Sequence, residues 1–140
     1  MNLGRNVVLG GPLLPIQLTT GRSGALNIGD GSFVNQGCSI HAELSITIGS
    51  NVRIGDMSAV YDTNFHETVA GRGVRTEAIL IGRNVWLGRN VTVLPGTVID
   101  HDSVVAAGSV VNGIFPAFSL IRGNPAILVK TLNAIEQEEL

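Results

Sequence analysis

Large aromatic side chains are nearly missing from this chain: four phenylalanines, one tyrosine and one tryptophan among 140 residues. With 44% hydrophobic residues, the core must then be built from Ile, Val, Leu and Ala. Charged residues are also few, at 14%, which excludes the composition of a disordered chain. The net charge is -2 and no block of Lys and Arg occurs, so nucleic acid is not expected as a partner. The single cysteine, Cys38, cannot form an intrachain disulfide, and no CxxC or Cys/His cluster points to zinc. No apolar run approaches the ~18 residues of a membrane span. The first residues lack the basic, apolar, small-residue order of a signal peptide. These absences predict a cytoplasmic chain forming one domain over residues 1–140.

Glycine is abundant, with 18 residues, and an aliphatic residue recurs every six positions. One block runs Ile28, Val34, Ile40; a second Ile48, Ile54, Val60; a third Ile81, Leu87, Val93, Ile99, Val105, Val111. Four residues after nine of these twelve stands a small or β-branched residue: Ser32, Cys38, Val52, Ser58, Val85, Val91, Thr97, Ser103 and Ser109. The exceptions, Leu44, Asn64 and Phe115, close the blocks. One residue after the aliphatic position Gly appears five times, at 29, 49, 55, 82 and 88, and is read as a turn former.

A six-residue period suits neither an amphipathic helix nor a long strand. It suits a short strand followed by a corner, three of which close a triangular coil that stacks on the next by parallel pairing. The fold class expected is all-β, a parallel β-helix of about four triangular coils. Its coils span 26–115, after an irregular N-terminal segment over 1–25. A closing segment and tail occupy 116–140, where "TLNAIEQEEL" forms either a short helix covering the open end or a frayed tail.

The repeat, above all "IGRNVWLGRNVTVLPGTVIDHDSVVAAGSVV" (81–111), resembles the left-handed β-helix, or hexapeptide-repeat, acyltransferases. "YDTNFH" (61–66) resembles the histidine motif of polysaccharide-modifying members, and "RGNPAILVK" (122–130) the family's closing segment. The resemblance is greatest to sugar and polysaccharide O-acetyltransferases of the galactoside and maltose type. Left-handedness is implied by the resemblance alone. It further implies acetyl-CoA as co-substrate, a sugar or polysaccharide acceptor, a role in polysaccharide biosynthesis, and a homotrimer with active sites between subunits.

The rhythm fails between Val60 and Ile81, a step of 21 residues where a full turn needs eighteen. An excursion loop is therefore expected around 66–78, and scaffold-mounted loops are where chemistry is usually placed. The resemblance makes His66 the general base that takes a proton from the acceptor hydroxyl, a task suited to imidazole. Asp62 either orients that histidine or caps a turn. Asn35 matches a position that contacts the acceptor sugar, or else is a left-handed corner residue. Trp86 either lines the intersubunit cleft or packs between subunits. By matching position Gly88, Ala106 and Ser109 lie near the CoA track, where small residues admit a ligand to the backbone. Corner packing is the other reading of Ser109. Relatives often carry Thr-Lys where this chain has Asn112-Gly113. Arg122 and Lys130 are the cations that stand in for it.

Two rival readings share the fold. A γ-carbonic-anhydrase-like hydratase needs zinc on three histidines, two of them close together. Here His41, His66 and His101 are separated by 25 and 35 residues, so no metal is expected. A non-catalytic β-helix used for assembly is the other, against which the histidine motif stands.

Overall fold

The computed structural model describes residues 1–133. Strands β1 (Asn2–Leu3), β2 (Val8–Gly10) and β3 (Gln17–Thr20) lead into β4 (Ala25–Ile28), β5 (Phe33–Asn35) and β6 (Ser39–Ala42). Then come β7 (Ser45–Ile48), β8 (Arg53–Ile54) and β9 (Ala59–Tyr61). A hairpin of β10 (Thr63–Glu67) and β11 (Val74–Thr76) interrupts the sequence. After it follow β12 (Ile79–Ile81), β13 (Trp86–Leu87), β14 (Thr92–Val93), β15 (Val98–Ile99), β16 (Val104–Val105) and β17 (Val110–Val111). The described residues end with β18 (Ile114–Phe115), β19 (Ser119–Gly123) and β20 (Ala126–Thr131).

These strands visit three sheets in rotation. The first face is β1-β4-β7-β12-β15-β18, the second β2-β5-β8-β13-β16-β19-β20, and the third β3-β6-β9-β14-β17. Neighbours on each face pair in parallel, except that β20 turns back antiparallel on β19 and so covers the last edge of the second face. The helix or tail expected over 131–140 falls mostly outside the described residues; Thr131 itself belongs to β20.

Register explains the hexad. Inward residues stack as Ile28, Ile48, Ile81, Ile99 and Phe115 on the first face. Val34, Ile54, Leu87, Val105 and Ile121 do so on the second, and Ile40, Val60, Val93 and Val111 on the third. All twelve repeat aliphatics are buried, and burying each contributes very roughly 1.5–3 kcal/mol before entropy costs. The nine small or β-branched residues four places on are buried too. Ser32 and Ser58 each use the hydroxyl to join a backbone carbonyl of the next coil to a backbone N–H.

Three expectations change. The segment 1–25 is not irregular: β1, β2 and β3 each pair in parallel with β4, β5 and β6. Its coil is long, since Asn2 pairs with Asn27, whereas the regular later step takes Leu80 to Val98. The added spacing hid it from a six-residue count; β1 before the expected coils and β18 at their end bring the first face to six strands.

The glycines one place after the aliphatics are not left-handed. Left-handed φ falls two places later, at Gly31, Gly37, Asn51, Met57, Asn84, Asn90, Gly96, Asp102 and Gly108. What the earlier glycines supply is closeness. A Cβ added at Gly29, Gly49, Gly55, Gly82 or Gly88 would meet backbone of the next coil at 2.5–2.7 Å. Gly82→Ala is therefore expected to force apart two coils at His101, costing about 1–3 kcal/mol as overpacking does. Urea unfolding of the purified variant measures it.

The excursion, thirdly, is a hairpin rather than a plain loop. It leaves the third face after β9 and rejoins the first at β12. The Glu67 carboxylate organises the tip by accepting from the N–H groups of Gly71 and Gly73, at 2.8 and 3.0 Å. Arg75 fastens the return strand, donating to Glu77, to the Pro95 carbonyl at 2.8 Å and to Asn112 Oδ1 at 3.4 Å.

Candidate active site

His66 lies on β10 and is exposed. Pairing in the hairpin is irregular between Thr63 and Glu67, and Phe65 within this bulge has φ 59. A bulge redirects the side chains beside it, which is how a short ladder presents an imidazole to solvent. Asp62, at the root of β10, is fully buried. Its Oδ1 accepts from the Glu43 N–H at 2.7 Å, and its Oδ2 from Leu44 and Ser45 at 2.8 and 2.7 Å. Both oxygens are thus committed to the backbone turn ahead of β7.

The other expected residues gather elsewhere. Trp86 is half-buried on the outer side of the second face, in register with Arg53 and Val104. The Arg53 guanidinium lies 5.7 Å from its ring centroid. Lys130 on β20 is in register with Leu120, which is itself in register with Val104. One column runs down the trailing edge of this face through Asn35, Gly55, Gly88, Ala106 and Arg122, as backbone bonds from Gly55 to Leu87, Gly88 to Val105 and Ala106 to Ile121 require. Asn35 is not left-handed; Gly37 takes that conformation at its corner. Its Oδ1 accepts from the Gln36 N–H at 2.8 Å. Ser109 is buried, donating to the Ala106 carbonyl at 2.7 Å and accepting from the Gly123 N–H at 3.1 Å, as a corner residue does.

Beside that column is a groove of about 470 Å³ lined by Met57, Arg89, Asn90, Ala107 and Gly108. Gly108 has φ 75, and a Cβ placed on it would meet nothing within 4 Å, so the groove is open above it. Arg89 is largely exposed and pairs with Asp56 at 3.1 Å. The sequence reading overlooked Arg89 and Gly108. The recurring left-handed slot of the repeat, filled by Met57, Asn90 and Gly108, was the signal that marks this edge.

A histidine lies on each of two further regions. His41 is on the third face, its Nδ1 2.8 Å from Thr19 Oγ1. His101 follows the first face, with Nδ1 2.7 Å from Asp102 Oδ2. Burial pushes the Asp102 carboxyl up, but hydrogen bonds from Asn84 and His101 and the charges of Arg83 and His101 outweigh it and hold the group below the usual carboxylate range. Burial raises the Cys38 thiol, whose Sγ donates to the Gly55 carbonyl at 3.1 Å. Among the described residues, no three His, Cys, Asp or Glu side chains come together as metal ligands.

Residues 78–113 match the bacterial transferase hexapeptide family (six repeats). WbbJ of Escherichia coli (strain K12), named for O-acetyl transfer in lipopolysaccharide biosynthesis, is 34% identical over 145 residues, covering 95% of this chain and 72% of its own. This chain belongs to the hexapeptide-repeat acetyltransferases. It is an acyltransferase with the left-handed parallel β-helix fold. A galactoside acetyltransferase solved with coenzyme A superimposes with a TM-score of 0.81 at 26% identity, over 97% of this chain and 67% of that one. A hexapeptide-repeat acetyltransferase of Vibrio cholerae solved with acetyl-CoA does so with a TM-score of 0.76 at 28% identity, over 94% and 71%. The hydratase reading finds no support in these relatives. Among the described residues no helix is long and apolar enough to cross a membrane.

Proposed function

We propose that the protein transfers an acetyl group from acetyl-CoA to a hydroxyl of a sugar or surface polysaccharide, with His66 as general base. The observation that carries this reading is the exposed His66 on a bulged hairpin mounted on a rigid coil, in a chain that belongs to an acetyltransferase family. In the step proposed, a neutral imidazole nitrogen takes the proton of the acceptor hydroxyl. The oxygen attacks the thioester carbonyl, the C–S bond breaks, and CoA leaves carrying the proton returned through the histidine. No acetyl-enzyme forms.

The groove of Met57, Arg89, Asn90, Ala107 and Gly108 suits the donor. Its floor is partly backbone, open at Gly108, and Arg89 places a cation there that Asp56 partly offsets. Arg89 thereby joins Arg122 and Lys130 as partners for the CoA phosphates in place of the usual Thr-Lys. Gly88, Ala106 and Ser109 serve the groove as scaffold: Gly88 lets the coils close up and Ser109 ties a corner. Trp86 and Asn35 on the same face are assigned to the acceptor side.

His66 stands between the third and first faces, whereas this groove follows the second. Base and donor groove belong to different edges of one prism, so they meet when a second copy brings its hairpin to the groove. This favours a homotrimer with sites between subunits. We place the reaction in the cytoplasm.

Calorimetric titration with acetyl-CoA tests the donor reading without any choice of acceptor, and absence of binding by the folded protein would sink it. Methyl hexopyranosides screened with acetyl-CoA then test the acceptor. Gly108→Asn keeps a residue type that fills the same slot at Asn51, Asn84 and Asn90, yet fills the groove. It is expected to weaken acetyl-CoA binding by roughly tenfold or more, about 1.4 kcal/mol, with the thermal midpoint little changed. Equal affinity would move the donor elsewhere.

A further inference from the structure

Phe65, which precedes His66, is left-handed at φ 59. Such backbone is an outlier for a bulky residue and persists only where the surroundings over-determine it. The non-glycine residues in this conformation at the coil corners are mostly Asn and Asp; Phe65 instead lies inside a strand, at the bulge.

Several contacts converge on it. Its N–H donates to Thr63 Oγ1 at 3.2 Å, and that oxygen also accepts from Thr76 Oγ1 at 3.0 Å. Its ring lies 5.1 Å from the His41 ring and 5.7 Å from Tyr61, the latter edge-on. His41 is held at both nitrogens, Nδ1 at 2.8 Å from Thr19 Oγ1 and Nε2 at 3.3 Å from Glu43 Oε2. The Tyr61 hydroxyl is 2.7 Å from Ser39 Oγ. Thr19, His41 and Tyr61 are register partners on β3, β6 and β9, so the ladder spans three adjoining strands of the third face.

We infer that this ladder is a positioning support for His66: His41 and Tyr61 fix the ring of Phe65, the fixed ring holds its left-handed turn, and the turn aims the imidazole that follows. The inference rests on the reading of His66 as base. His41 and Tyr61 touch no reacting atom and act through Phe65 alone. The physical basis is that a base displaced by even an ångström loses rate although its chemistry is intact.

An acceptor-free readout comes first, the ¹³Cε1 resonances of the three histidines in the purified full chain. His41→Ala is expected to shift and broaden the His66 signal and leave that of His101 unchanged. His41→Phe, which keeps a ring against Phe65, is expected to restore it. In turnover of acetyl-CoA with the fastest-reacting methyl hexopyranoside, His41→Ala is expected to lower kcat about tenfold with KM for acetyl-CoA unchanged. His41→Phe should recover most of that loss. Phe65→Gly tolerates the left-handed turn without a ring and should lower kcat similarly; adding His41→Ala to it should cost nothing more, because both act through one contact. Should His41→Ala fail to fold, Tyr61→Leu supplies the same spectral comparison. A His66 signal unchanged in these variants overturns the support, and additive losses overturn the route through Phe65. Full turnover in His66→Ala overturns the base assignment instead, and the spectra then judge the support by themselves.

Discussion

Replacing His66 with alanine is expected to lower acetyl transfer by about 10²–10⁴-fold, the range a positioned acid–base group contributes. Acetyl-CoA affinity should stay unchanged, because the groove proposed for the donor follows the second face while His66 stands off between the third and first. Stability should hold as well, since the side chain is exposed on a hairpin whose fastening comes from Arg75, Thr63 and Thr76. Steady-state kinetics, calorimetry and a thermal melt on one preparation separate the three quantities. A loss of rate without loss of binding or melting temperature supports the base. Turnover at the wild-type rate removes it, and with it the reason for the hairpin to interrupt the coil.

Much of the coil was legible because burial repeats with strict register. Each aliphatic in the hexad stacks on its equivalent one coil away, so Ile48 above Ile81 and Ile54 above Leu87 leave a countable trace. The trace fails wherever spacing departs from that count. Leu3 stacks with Ile28 across 25 residues, so the first coil has no six-residue signature. Phe115 takes the inward place above Ile99 although a six-residue step from Val111 leads past it. Glycine was misread for a different reason. Its one-letter code does not distinguish a residue needed for positive φ from one needed for close approach, and Gly31 and Gly29 sit two places apart with opposite duties.

Candidate site residues could be named from the sequence, but their arrangement could not. Periodicity assigns each residue to a strand or corner, yet which face a residue follows requires the whole rotation to be counted, including the three strands before Ile28. Only then do His66 and Trp86 fall on different parts of the prism. The strain at Phe65 could not be read from sequence, because nothing in "TNFHE" announces a left-handed phenylalanine inside a strand. Arg89 was hidden in a repeat position that elsewhere carries Asp30, Ser50 and Asp56, ordinary surface residues.

Asp62→Ala is expected to be the most destabilising substitution near the site, and the outcome decides between the two roles its position allows. The carboxylate is fully buried and receives three backbone N–H groups, from Glu43, Leu44 and Ser45. Alanine offers no acceptor, so those donors lose their partner in a turn that has no regular ladder to replace it. A hydrogen bond to a charged group is worth about 1.5–3 kcal/mol, and three are lost at once with exposed Glu43 and Leu44 open to water, so roughly 3–5 kcal/mol is expected here. The thermal midpoint should fall by roughly 10 °C or more. Asp62→Asn retains one accepting oxygen and should lose less. If Asp62 served the histidine, both variants would lose kcat while melting near the wild-type temperature. If it caps the turn, melting temperature falls first, and kcat measured well below that temperature falls only as far as the root of β10 is displaced. The geometry favours the second outcome: the Asp62 backbone carbonyl also accepts from the Glu77 N–H at 2.9 Å, so one residue closes the turn before β7 and the base of the hairpin together.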